Sequence, residues 1–99
     1  MKTKKSQLRE SSKRSLRDLG SVGKETLNDF KKLGVTTVDE LATRDPQCLY
    51  EDLCAITKQR HDICVLDTLH CAVAQAKDPK LPKEMRNWWY WSRKRKAEG

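Results

Sequence analysis

No stretch of this chain is apolar for the roughly 18 residues that a membrane span needs. The basic N-terminus has no apolar run behind it, so no signal peptide is expected. Aromatic residues number only three Trp, two Tyr and one Phe, and apolar residues make up 36% of the 99. The expected core is therefore small and single. No Gly-rich nucleophile turn, phosphate-binding loop or paired-carboxylate cluster is present, which disfavours an enzyme. The cysteines, Cys48, Cys54, Cys64 and Cys71, include no Cys-x-x-Cys pair. Structural zinc sites usually contain such close pairs. Packed free thiols in a cytoplasmic protein are the simplest expectation, with no metal and no cofactor. A zinc site drawing on His61 or His70 is the sharper alternative. No β-type alternation of apolar and polar residues occurs, so an all-α fold is expected.

What the chain has in abundance is charge. Charged residues reach 35%, with a net +7. Residues 1–17 carry seven Lys and Arg against Glu10, a net +6. Residues 18–79 carry seven against eleven acids, a net −4, and residues 80–99 seven against two, a net +5. An acidic centre thus lies between two basic ends. Basic ends favour polyanions, nucleic acid first. The plain alternative is a solvated, disordered tail. The expected layout is a disordered basic arm at 1–12, one domain at 13–91 and a disordered basic tail at 92–99.

The centre of organisation is residues 16–33. Two short amphipathic helices are expected to flank a tight turn, Gly20-Ser21-Val22-Gly23-Lys24. Leu16 and Leu19 face inward on one side of it. Leu27, Phe30 and Leu33 repeat at helical spacing on the other, leaving Lys24, Lys31 and Lys32 outside. Val22 can pin the turn to the core. Gly23 can take positive φ or admit another backbone closely. Backbone N–H groups at a helix start, beside a lysine, suit a phosphate.

This stretch resembles a helix-hairpin-helix motif, whose usual turn reads apolar-Pro-Gly-apolar-Gly-Lys. Leu19, Val22, Gly23 and Lys24 match it. Gly20 stands where the proline often is, and Ser21 stands at the first hairpin glycine. If that position needs positive φ, a serine there is strained by about 1 kcal/mol.

Farther along, Gly34 and Val35 read as a helix stop. Thr37 with Glu40 matches a capping box, and Asp45-Pro46 is a cap followed by proline at the first helical position. Leu49, Leu53 and Ile56 form the next stripe, with Tyr50 and Cys54 beside it. Asp62 starts a helix reaching about Lys77, with Val65, Leu66, Leu69, Ala72, Val73 and Ala76 inward. Asp78-Pro79 stops it. A short sixth helix is allowed for near residues 85–90. Lys58 and Arg60, in the loop before Asp62, reach a phosphate if the two helices around them form a degenerate second hairpin; an ordinary polar loop is the preferred alternative. Asp67 and His70 are three residues apart on a helix and can meet without any function. Of Trp88-Trp89-Tyr90-Trp91, at least one tryptophan is expected to close the core, while Trp89 or Trp91 is the candidate to stack on a base or a partner beside Arg86, Arg93 and Arg95.

With the Thr-Val-Asp-Glu-Leu run, Arg44-Asp45-Pro46, Leu49-Tyr50-Glu51, Asp62-Ile63-Cys64-Val65-Leu66-Asp67 and the closing tryptophans, residues 14–91 resemble small bacterial helix-hairpin-helix proteins of the pathogenicity-locus family. Some of these carry a mitomycin-resistance label. The resemblance implies a compact bundle of about five helices, of the SAM-like, DNA-repair-like kind, and sequence-independent DNA binding related to repair or damage. The residues that would meet backbone phosphates are Gly20, Ser21, Val22, Gly23, Lys24, Lys31, Lys32, Lys58 and Arg60. A monomer, with DNA as partner, is expected. The alternative is a protein-interaction module with a structural hairpin and a Trp-rich docking end.

Overall fold

The computed structural model describes residues 14–98. The expected N-terminal arm, residues 1–12, lies outside them. Among the described residues the regular elements are all helical. A single 3₁₀ turn at Leu16–Asp18 precedes α1 (Lys24–Leu33), α2 (Val38–Ala42), α3 (Pro46–Thr57) and α4 (Ile63–Lys77). A second 3₁₀ turn at Lys83–Arg86 leads into α5 (Trp88–Glu98).

The starts and stops follow local chemistry. Gly34 ends α1 at φ +76°, and the Val35 N–H donates to the Phe30 carbonyl at 2.9 Å. This closure needs a left-handed residue, which glycine supplies without steric cost. The Thr37 hydroxyl accepts the Glu40 N–H at 3.0 Å. Glu40 reaches back to the Thr36 N–H, one residue earlier than a capping box would place it. Asp45 accepts the Cys48 N–H at 3.0 Å, with Pro46 opening α3, and Asp62 accepts the Cys64 N–H at 2.9 Å. These side-chain oxygens satisfy donors that a helix start leaves unpaired.

Helix α4 is the hub, packed against α2, α3 and α5, while α1 lies on α3. Leu66, Leu69, Ala72, Val73 and Ala76 of α4 share one core with Leu16, Leu19, Phe30, Leu33, Val35, Val38, Leu41, Leu49, Tyr50 and Leu53. Val22, Leu27 and Val65 pack on its edge.

Three expectations are corrected. The element before the turn is one 3₁₀ turn, not a helix. Asp18 Oδ2 accepts the Ser15 N–H at 2.8 Å and Leu19 goes extended, while Arg14 is drawn to the end of α4. Ile56 is 51% exposed, because α3 rolls to bury Tyr50 beside Leu49 and Leu53. The Tyr50 hydroxyl donates to the His61 carbonyl, which fixes that roll. Residues 92–98, expected as a disordered tail, continue α5. Ser92 is buried, and Arg95 forms a bidentate pair with the carboxylate of Asp67, Nε to Oδ1 and Nη2 to Oδ2, both at 2.9 Å. Asp67 is 1% exposed, so Arg95 supplies the charge that its burial requires.

Candidate nucleic-acid interface

The turn from Gly20 to Lys24 divides into a half that faces the fold and a half that faces solvent. On the inner half, Gly20 is held on both polar groups by Gln75 of α4. Its N–H donates to Gln75 Oε1 at 2.8 Å, and its carbonyl accepts from Nε2 at 3.0 Å. A β-carbon at Gly20 would run into the Arg86 carbonyl oxygen, so this is where close approach demands glycine. Ser21 takes φ +65°. Its Oγ accepts the Trp88 N–H, the first of α5, at 2.9 Å. The residue standing in for a hairpin glycine therefore caps a helix 67 positions away in sequence. Arg14 completes this inner face, donating from Nη1 to the Gln75 carbonyl at 2.9 Å.

On the outer half, Gly23 is extended at φ −102° and is the residue before α1, with no side-chain cap. A β-carbon there would meet nothing within 4 Å. The freedom expected of Gly23 is thus unused inside the fold, and it leaves the start of α1 open. The first N–H groups of α1 carry its partial positive charge. Lys24 and Lys31, both exposed, line one shallow groove of about 420 Å³ with Glu25, Leu27 and Asn28. Helical spacing puts these two ammonium groups on one face.

Lys32 is exposed on the other flank of α1. There its charge, with that of His61, lowers the pKa of Asp29, but partial burial dominates and holds the Asp29 carboxyl above its usual value. Lys58 and Arg60 are exposed in the α3–α4 loop. That loop is built rather than loose. Lys58 takes φ +57°, the Gln59 N–H returns to the Cys54 carbonyl at 3.1 Å, and His61 Nε2 lies 2.8 Å from the Thr57 hydroxyl. Since that hydroxyl donates to the Leu53 carbonyl at 2.8 Å, the imidazole is the donor to it. No glycine pair and no open helix start with lysine stands here, because Asp62 caps α4. The four candidates Gly23, Lys24, Lys31 and Lys32 thus gather on α1. Gly20, Ser21 and Val22 serve the turn's own packing, and Lys58 and Arg60 stand apart.

The C-terminal aromatics are sorted by packing. Trp91 is held against α4, donating from Nε1 to the Met85 carbonyl at 2.8 Å and stacking on His70 with ring centroids 6.0 Å apart and planes 12° apart. Burial lowers the His70 pKa against the pull of Asp67 and Asp45. Trp88 and Trp89 remain 40% and 41% exposed. Cys71, Cys64 and Cys48 show no activation. Burial pushes Cys71 up to about 11, and hydrogen bonding to Asp62 and Asp45 pushes Cys64 and Cys48 up. Among the described residues no three His, Cys, Asp or Glu side chains gather as a metal site would require. No described helix is long and apolar enough to cross a membrane.

Sequence reasoning missed Gln75, and it set Asp67 beside His70 rather than with its partner Arg95. Both sit on α4 at positions that read as solvent-facing polar residues, and their partners are tens of residues away. The polar character of two otherwise well-buried helix positions was the available signal.

With this geometry in place, the comparisons with known proteins bear on the whole described domain. The family model Cdd1, described as pathogenicity locus, matches residues 9–97. The chain belongs to the pathogenicity-locus family. The match runs through α5, in keeping with residues 92–97 being part of the folded unit rather than an appendage. The chain is also similar to mitomycin resistance protein McrB of Streptomyces lavendulae, 41% identical over 81 residues that cover 82% of this chain and 73% of that protein. No solved structure matches this pathogenicity-locus protein.

Proposed function

We propose that this pathogenicity-locus protein binds DNA through the sugar-phosphate backbone, without reading sequence and without a chemical step of its own. The observation that carries this is the pairing of Lys24 and Lys31 along one groove with an α1 start that Gly23 leaves uncapped. A phosphate oxygen at that start would accept N–H groups of the first turn and meet the Lys24 ammonium. Lys31 would take the next phosphate along the groove. Lys32, on the other flank of α1, adds long-range attraction, as do Lys58 and Arg60.

Glu25 works against this, because it sits in the same first turn and lines the same groove. Affinity is therefore modest and strongly dependent on salt. The mitomycin-resistance name of the relative is compatible with a role around DNA damage. The experiment is binding of fluorescent duplexes of unrelated sequence by the full chain across a salt series. Equal affinities and a linear loss with log salt are expected. Binding confined to one sequence, or none at low salt, would overturn the assignment.

The second reading is a protein-docking module, favoured by the exposed Trp88 and Trp89. It predicts that replacing Lys24 and Lys31 leaves partner capture intact.

A further inference from the structure

The exposed Trp88 indole lies next to the proposed phosphate groove, Trp89 follows it in α5, and the fold ties down this end of the helix. The Ser21 hydroxyl fixes the Trp88 backbone N–H at 2.9 Å, so the first turn of α5 is tied to the turn that opens α1. The Trp88 side chain lines a depression of about 160 Å³ together with Glu25, Thr26 and Asp29 of α1 and Thr68 of α4. Glu25 lines both this depression and the Lys24–Lys31 groove. One side chain therefore separates the lysines from the indole. Trp89 follows, with the Arg93 guanidinium 4.6 Å from its ring centroid. Trp91, by contrast, is less exposed, stacks on His70 and donates to the Met85 carbonyl.

The charges around these indoles select what would lie on them. Glu25 and Asp29 floor the Trp88 depression and repel a phosphate. Lys24 and Lys31 line the groove that shares Glu25 with this depression, and Arg93 accompanies Trp89. A segment suited to this pattern carries phosphates at its margins and a planar, uncharged group between them. A nucleotide strand whose bases are out of the duplex meets that description. Every base has a π-face, so stacking on indole tolerates any sequence, and Arg93 behind the Trp89 ring supports a base laid against it. A blunt duplex keeps its bases within its own stack and presents only phosphate and sugar.

We infer that Trp88 and Trp89 stack on unpaired bases, so that the protein prefers DNA in which a single strand continues from a duplex end. This rests on the phosphate-binding role of α1 proposed above. The indoles extend that surface from the duplex backbone onto the bare strand.

The test compares the full chain on a short duplex carrying a thymine tail and on the same duplex blunt, with tryptophan fluorescence recorded in both titrations. The tailed duplex binds about tenfold tighter, the magnitude expected for one or two stacked bases. The tail also quenches emission. Trp89→Ala, which removes the indole that Arg93 accompanies, brings the ratio of the two affinities towards one, and Trp89→Phe restores part of it. The unfolding midpoint of Trp89→Ala is measured alongside, so a misfolded variant is recognised. Equal affinity for the two DNAs overturns the inference while leaving backbone binding standing. So does a preference for the tail that survives Trp89→Ala and Trp88→Ala together. The indoles would then be open to a protein partner. Failure to bind either DNA at low salt overturns this inference and the backbone reading together.

Discussion

Ser21 Oγ accepts the Trp88 N–H at 2.9 Å while Ser21 itself holds φ +65°. The hydroxyl gains one helix-start hydrogen bond, and the backbone carries the strain of a left-handed non-glycine residue. Both effects are about 1 kcal/mol. Removing them separately makes them visible. Ser21→Ala keeps the strain and loses the bond, and should cost about 1 kcal/mol in urea unfolding. Ser21→Gly loses both, and should unfold close to the parent midpoint. Equal destabilisation by the two variants would show that the strain is not there.

The Asp67–Arg95 pair anchors the last two turns of α5. Asp67→Asn keeps the volume but loses the charged acceptor for the guanidinium, and should cost about 2 kcal/mol. Arg95→Ala should release residues 93–98, seen as faster amide exchange confined to that end of α5. If amides there exchange at parental rates in Arg95→Ala, something other than the ion pair docks the helix.

The stretches that sequence reasoning placed well are those specified within a few residues. Thr37, Asp45-Pro46, Asp62 and Gly34 each act on a neighbour two to five positions away, so their roles are visible in a local reading. The inward stripes of α1 and α4 follow from periodicity alone. What stayed hidden is non-local. Residues 92–98 are polar enough to pass for a tail, and the carboxylate of Asp67, buried 28 positions before Arg95, holds them as a docked helix. Ser21 looks like a defective hairpin glycine until the start of α5 is seen above it. Gly20 looks like a replaced proline until Gln75 and the Arg86 carbonyl are seen around it. On the candidate site, the lysines of α1 were legible because they fall off the apolar stripe. The inward commitment of Gly20 and Ser21 was not.

His70 gives the fold a dependence on acid. Burial lowers its pKa below the ordinary 6.5. As pH falls, the unfolded chain binds this proton before the folded one does. The contribution is therefore intact above about pH 6.5 and is lost progressively below it, down to the lowered folded value. The urea midpoint should drop over that window, and His70→Gln should flatten the drop. Asp29, whose raised pKa favours the folded state in acid, acts the opposite way only near the carboxylate range. An unchanged pH profile in His70→Gln would contradict the assignment.

The central claim is that the start of α1 binds phosphate, and charge substitution there tests it most directly. The measurement is duplex affinity against salt for the full chain, for Gly23→Ala with Lys24→Glu, and for Glu25→Gln. A β-carbon at Gly23 meets nothing in the fold and Lys24 is exposed, so the unfolding midpoint of the double variant should stay near the parent value. Its binding should weaken, with a salt slope shallower by about one. Glu25→Gln, which removes the carboxylate from the groove, should bind more tightly than the parent. Parental affinity and slope in both variants, with the fold intact, would contradict the claim and leave the net charge of the chain as the whole of its attraction for DNA.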